Sequence, residues 1–444
     1  MKKIIKVISI STLMLLFFAL NMIVDKKEEK EINYKGLAMT IDGEIVEDLP
    51  TEGYYYLNST CEGGNLTWDI YNRTLKLKGD GTLNYSSCKL DFESIDLKIY
   101  ISGVESNTLP TGEGYSISSN CGNATVTYAY PNLTITANEN PVACEIYFDI
   151  NLKGKMLADN TAQSDAGINF GNTSAVDGTN GLFYTSNTSR TENGEVVYYY
   201  RGVVTNNYVV FGNYCWRIVR TVEDGSVRLR YGGSPTQNGE TYTCPQTGTA
   251  VNIGSSVYYT LVSNKSYVNY KTSSIRTVVE NWYRDNIWKN EQNTKVTNLI
   301  ADTPYCNDMT EPETNYFGAY NRVLNNKNPQ YKCANASYGY TVAKRDLTYP
   351  VGLLTADEVA YAGGALNLSN SNYYLYTGEG YWTMTPSNFS SSSARVLNVA
   401  YLGNIIFNEV TTSFVVIPAI SLKAEARVER GSGLYNDPYV IMTN

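Results

Sequence analysis

Between residues 50 and 150 apolar and polar positions alternate with a period of two. The runs are short and are broken by Asn, Gly and Asp, which predicts short β-strands. The pattern occurs twice. One copy carries Tyr54 to Cys61, Trp68, the alternating Leu75 to Leu77, and Cys88 to Phe92. The other carries Tyr115 to Cys121, Tyr128, Leu133 to Ile135, and Cys144 to Phe148. Both close on Cys-polar-aliphatic-polar-Phe. From 151 to 193 no periodicity persists, and the Gly, Asn, Thr and Ser there predict a linker.

Beyond residue 194 the pattern changes. Val196 to Val210 is β-branched and tyrosine-rich, and Cys215 to Glu223, Asp224-Gly225 and Ser226 to Tyr231 predict a hairpin with a two-residue type I′ turn. In that register Trp216, Ile218 and Val222 share a face with Val227, Leu229 and Tyr231, with Arg220 the one misfit. Ile275, Val278, Val279 and Trp282 recur with helical spacing over 274–288, behind polar Thr272 and Ser273. A short helix follows Thr355, with Glu358 at capping-box distance and Gly363-Gly364 as its stop. The adjacent Asp357 and Glu358 suit the dipole of a first helical turn better than a catalytic pair. Strands are then predicted over 373–376, 381–384, 394–401, 405–408 and 414–422.

These signals describe a multidomain chain: two small disulfide-stapled all-β modules, 51–105 and 106–150, followed by an α+β domain over 194–444. Residues 25–50 and 151–193 are the expected linkers. Asp177 to Gly181 has neither the carboxylate spacing nor the distal glutamate of an EF-hand, so it predicts a turn.

Residues 1–24 are an address rather than part of a core. Lys2, Lys3 and Lys6 precede the apolar run from Val7 to Val24, which is long enough to cross a bilayer as a helix. It is either a signal peptide or a membrane anchor, and either way the rest of the chain is expected to be exported. The membrane is therefore an expected partner through this segment alone.

Composition narrows the chemistry. The chain has 444 residues, a net charge of −8 and no histidine. The acidic balance argues against a nucleic-acid partner. Without histidine, Ser-His-Asp and Cys-His catalysis and HExxH zinc sites are excluded. No cofactor or metal motif is present, nor a P-loop or a Gly-x-Ser-x-Gly nucleophile. The 39 tyrosines against 11 phenylalanines have no explanation in these motifs.

Eight cysteines, none in a CxxC, suit disulfides of an exported protein. Pairing them in order gives Cys61 with Cys88, Cys121 with Cys144, Cys215 with Cys244, and Cys306 with Cys333, each pair inside one module.

Several stretches resemble a family of uncharacterised exported bacterial surface proteins. They are Tyr198 to Tyr208, Cys215 to Arg220, Ala301 to Asp308, Gly352 to Gly364, Tyr381 to Ser387 and Gly431 to Ile441. More distantly, Leu354 to Gly364, then Trp382, then Val415 to Pro418 resemble in their order the C-type-lectin fold. The likeness is to the branch of formylglycine-generating enzymes and retroelement-diversified variable proteins. No proline precedes Thr355, and Ile417 stands in place of the pattern's arginine. That resemblance implies a binding surface near the late strands, with Tyr381, Trp382, Ser387, Asn388, Arg395, Asn398 and Asn404 as candidate ligand contacts. Rings that stack on sugars and amides that pair with hydroxyls suit a glycan or a surface protein. The expected function is that of a cell-surface binding or adhesion protein, a β-rich stalk with a lectin-like head, rather than an enzyme. The alternatives are an envelope hydrolase using paired carboxylates such as Glu379 and Glu409, and a purely structural envelope protein.

Overall fold

The computed structural model describes residues 37–62, 65–70, 73–78, 87–110, 114–129, 132–136, 143–289, 294–312 and 314–443. The segment read as a signal peptide or anchor lies outside them. Among the described residues no helix is long and apolar enough to cross a membrane. The chain is β-rich and forms two compact units. The first runs through Phe148 apart from 113–116, and the second takes that short piece and everything from Asp149 onward.

The first unit is a tandem repeat. Its first copy holds β1 (Ala38–Ile41), β2 (Glu44–Val46), β3 (Tyr55–Thr60), β4 (Asn65–Asp69), β5 (Thr74–Lys78) and β6 (Lys89–Ser94). The second holds β7 (Asp96–Ile101), β8 (Val104–Ser106), β9 (Tyr115–Asn120), β10 (Thr125–Ala129), β11 (Asn132–Thr136) and β12 (Ala143–Ile150). Each copy builds the same four-stranded sheet, in the orders β2-β1-β6-β3 and β8-β7-β12-β9, plus a separate hairpin. In each, the first strand runs parallel to the last. The corresponding tight turns are Asp42-Gly43 and Ser102-Gly103, all four residues with positive φ as a type I′ turn demands. Trp68 meets Phe92 edge-on at 5.0 Å, and Tyr128 meets Phe148 the same way at 4.8 Å.

The repeat therefore begins one hairpin earlier than its cysteines indicate. β1 and β2 lie in the stretch expected to be a linker over 25–50, and the boundary expected at 105/106 cuts through β8 of the second sheet. Cys61–Cys88 and Cys121–Cys144 are disulfide-bonded, as their order implied.

The segment expected to be a linker over 151–193 carries regular elements of the second unit. Helix α1 (Leu152–Ala158) buries Leu152 and Met156, and β13 (Gln163–Ser164), helix α2 (Ser174–Asp177) and β14 (Gly181–Thr185) follow. Gly178 closes α2 with φ 66°, so the Asp177 region is a helix stop rather than a calcium loop. β15 (Val197–Arg201), β16 (Tyr208–Phe211), β17 (Tyr214–Thr221) and β18 (Val227–Tyr231) carry the sheet onward. β19 (Thr236–Asn238) and β20 (Thr241–Thr243) form an exposed hairpin, and β21 (Ser255–Val257) starts a second sheet. Next come α3 (Ser274–Tyr283), α4 (Thr294–Asn298), the short pair β22 (Tyr305–Cys306) and β23 (Gly339–Tyr340), and α5 (Ala356–Ala362). The chain ends with β24 (Tyr381–Ser390), β25 (Ser393–Val399), β26 (Ile405–Glu409), β27 (Ser413–Val415), β28 (Ala419–Leu422), β29 (Val428–Arg430) and β30 (Tyr439–Ile441).

A nine-stranded sheet has the path β13-β14-β15-β17-β16-β30-β29, with β18 bridging β17 to β28. A five-stranded sheet has the order β21-β27-β24-β25-β26. One apolar cluster joins Trp216 and Leu229 to Ile275 and Val279 of α3, Val359 of α5, and Trp382 and Val396. The α3 face matches its period, and Ser273 caps the helix by accepting from the Arg276 amide. Residues 373–376 make a buried turn instead of a strand. The run 414–422 divides into β27 and β28, with Pro418, which lacks an amide to donate, between them. Cys215–Cys244 and Cys306–Cys333 complete four disulfides, the signature of an oxidising environment outside the cytoplasm.

Candidate functional site

The β17–β18 hairpin departs from its predicted register in an informative way. Gly225 has φ 85° but Asp224 does not share the left-handed region, and the Val222 amide bonds Ser226 O at 2.7 Å. The loop is thus longer than two residues, and Thr221 rather than Val222 pairs with Val227. A bulge between Ile218 and Arg220 adds one residue to β17. It leaves Trp216 opposite Tyr231 and Ile218 opposite Leu229 on the core face, while Arg220 moves to the other face. There Arg217 pairs with Arg230, and Arg220 with Arg228. All four arginines are buried.

Like charges directly opposed in a ladder repel, so each pair needs compensation. Arg217 donates to Asn207 Oδ1 at 2.7 Å and Val204 O at 3.0 Å, and its guanidinium lies 3.7 Å over the Tyr208 ring. Burial lowers its pKa to about 10 and also lowers that of Arg230. Arg220 donates Nε to Glu358 Oε1 at 2.9 Å and lies 4.6 Å over Tyr331. Arg228 lies 4.0 Å over Tyr305, and its Nε is 3.9 Å from the same Glu358 oxygen. Tyrosine rings thus seat three of the four guanidinium groups, one structural use for the tyrosine excess.

Glu358 reaches this floor from the first turn of α5. The capping box is present: Thr355 Oγ1 accepts from the Glu358 amide at 3.1 Å, and Glu358 Oε2 accepts from the Thr355 amide at 2.9 Å. Burial works to raise the Glu358 carboxyl, but Arg220 and Arg228 outweigh it and hold its pKa below the ordinary value. Its neighbour Asp357 takes both arms of Arg322, at 2.8 and 2.9 Å, and Arg322 also donates to Asp308 at 2.7 Å. The Asp357-Glu358 pair therefore anchors two arginine networks in addition to capping a helix.

Above Arg220 and Arg228 opens a cleft of about 680 Å³, counting its mouth. Its walls are Tyr305, Tyr331, Leu353, Ala336 and the Cys306–Cys333 disulfide, with Lys332 and Lys344 among the lining residues. Arg228 is 2% exposed, and it donates Nη2 to Pro304 O at 2.9 Å. Its Nε and Nη1 donate no hydrogen bond. Among the described residues no group of three His, Cys, Asp or Glu side chains is placed to hold a metal ion.

The residues expected to form the binding face lie elsewhere and mostly inside. Tyr381, Trp382, Ser387, Asn388 and Asn398 are buried. Trp382 is 1% exposed, donates Nε1 to Ser256 O at 3.0 Å, and packs against Tyr258 and Phe414. Ser387 donates to Asn388 Oδ1, and Asn398 accepts from Asn408. Arg395 and Asn404 are half-buried, with Arg395 over the Phe407 ring. β24 is covered on both faces, which corrects the expectation of an open surface at these five positions.

Nor are Glu379 and Glu409 brought together. Tyr381 is level with Val399, and Glu409 with Arg395, so four residues of β25, roughly 13 Å, separate the two levels along the strands. Glu379 lies further back still and accepts from Asn252, whereas Glu409 accepts from Ser393. Paired-carboxylate glycosidases need about 5–10 Å.

Comparison with family models, curated proteins and solved structures finds no match to the chain. The cleft was missed from sequence because its residues come from separated segments. The one local signal was Arg220, a charge on an otherwise apolar strand face.

Proposed function

We propose that the chain is an exported binding protein of the cell surface, in which the C-terminal unit recognises a glycan through the cleft above Arg220 and Arg228. The observation that carries this reading is Arg228, buried in the cleft wall with two nitrogen donors unused. A guanidinium withdrawn from water and left short of acceptors is costly to the fold; Nε and Nη1 are enclosed, so a ligand satisfies them by drawing the side chain toward the cleft. The four disulfides support export, and the segment 1–24 is then the signal or the anchor. The order of α5, Trp382 and the late strands supports a lectin-like reading of the unit. The β-repeats are read as a stalk.

The test is a glycan array probed with the disulfide-intact chain and with Ala336→Trp. Ala336 is an exposed wall residue, so a tryptophan there fills the cleft without entering the core. Binding abolished by Ala336→Trp supports the reading. Binding unchanged by it places recognition elsewhere.

A further inference from the structure

We infer that the group taken by this cleft is a single carboxylate, that of an acidic sugar, lodged against Arg228. The inference rests on the cleft being the recognition site and adds the chemistry of what it holds.

The first observation is the charge count. Arg220, Arg228, Lys332 and Lys344 line the cleft against Glu192, Glu223 and Glu358, leaving one positive charge unmatched. The second is where the cations spend their hydrogen bonds. Lys332 donates to Thr188 O at 2.8 Å, and Lys344 to Ala336 O and Gly339 O at 2.8 and 2.9 Å. Backbone carbonyls orient an ammonium group without neutralising it. Glu358 is divided between Arg220 at 2.9 Å and Arg228 at 3.9 Å, and Glu223 reaches Arg220 at 3.5 Å. Arg228 is thus the deep cation with the weakest carboxylate contact and with donors to spare.

A monoanion closes this balance, whereas a dianionic phosphate overshoots it beside Glu358, and of the monoanions a sugar carries a carboxylate is a more basic acceptor than a sulfate ester. A sugar suits the remaining lining, where Glu192 and Glu223 accept and Lys332 and Lys344 donate, as hydroxyls do both. Tyr305, Leu353 and the disulfide add apolar surface to the lining.

Saturation-transfer NMR of the full-length chain in non-ionic detergent tests this, with sodium glucuronate, glucose, N-acetylglycinate and inorganic phosphate as probes. The expected result is glucuronate binding at least roughly tenfold tighter than glucose, the usual worth of a charge-assisted hydrogen bond. That binding is lost in Arg228→Gln and in Ala336→Trp. The second variant keeps the test decisive if the first does not fold. Glucose binding as tightly as glucuronate, with both blocked by Ala336→Trp, overturns the carboxylate and leaves the cleft reading intact. Glucuronate binding that survives Ala336→Trp overturns both. Phosphate displacing glucuronate at equal concentration overturns the monoanion, and N-acetylglycinate binding more tightly than glucuronate overturns the sugar.

Discussion

Arg220 and Arg228 sit directly opposite each other across the β17–β18 ladder, and Glu358 Oε1 lies 2.9 Å from one and 3.9 Å from the other. Two buried guanidinium groups thus share one carboxylate carried by the cap of a seven-residue helix. The arrangement couples the β17–β18 hairpin to a helix distant in sequence, because loss of the carboxylate uncaps α5 and exposes the arginines to each other in the same event.

Glu358→Gln is therefore expected to destabilise the second unit by about 3–5 kcal/mol, the cost of leaving buried charges unpaired. Urea unfolding followed by near-ultraviolet dichroism measures it. The pH dependence has a definite sign. The folded pKa of Glu358 is depressed, so its stabilisation is complete above its unfolded value of about 4.3 and is lost as pH falls through the folded value. The wild-type acid limb should accordingly be steeper below about pH 4.3 than that of Glu358→Gln.

Arg322 makes the parallel case at the adjacent carboxylate, Asp357. Its side chain is 12% exposed, and Asp308 and Asp357 are 1% and 4% exposed. Burial works to lower the pKa of Arg322, but Asp357 and Asp308 outweigh it and raise it. Arg322→Met leaves two buried carboxylates facing each other and is expected to cost about 3–5 kcal/mol. The double variant with Asp308→Asn should recover part of that loss in a thermodynamic cycle.

Trp382→Ala is expected to act on stability before anything else. The indole is buried against Tyr258 and Phe414, and truncating a buried tryptophan costs about 3–5 kcal/mol. Calorimetry of the variant should show a clear fall in Tm. Unchanged stability would mean that Trp382 is surface after all.

These outcomes mark what the chain's pattern made legible. Local signals were readable: the α3 stripe, the Thr355–Glu358 capping box, the hairpin around Gly225 and four disulfides in sequential order all come from neighbours in sequence. What escaped depends on non-local pairing. Ile41-Asp42-Gly43 and Ile101-Ser102-Gly103 are equivalent turns, yet each strand before them finds its partner across the whole repeat, so the cysteines alone set the boundary late. Trp382 and Asn398 looked suited to a ligand because residue type carries no information about which sheet faces are covered. Arg220 was visible as a misfit, but a bulge that turns it over has no local signature. Its companions Arg217, Arg228 and Arg230 become a floor only in the resulting register.

The Cys306–Cys333 bridge separates cleft geometry from global stability because the chain carries a matched control. It and Cys61–Cys88 each close a sequence separation of 27 residues, so the chain-entropy model assigns both about 3.5 kcal/mol through the unfolded state. Their surroundings differ. Cys306 and Cys333 line the cleft beside Tyr331, whose ring seats Arg220, whereas Cys61 and Cys88 staple the first β-repeat. Replacing both members of either pair with serine should lower the stability of the affected unit by a comparable amount. Only the Cys306→Ser, Cys333→Ser double variant should also weaken glucuronate binding, measured by titration at a temperature where both proteins remain folded. Equal binding by the two double variants would mean that the disulfide wall plays no part in shaping the site.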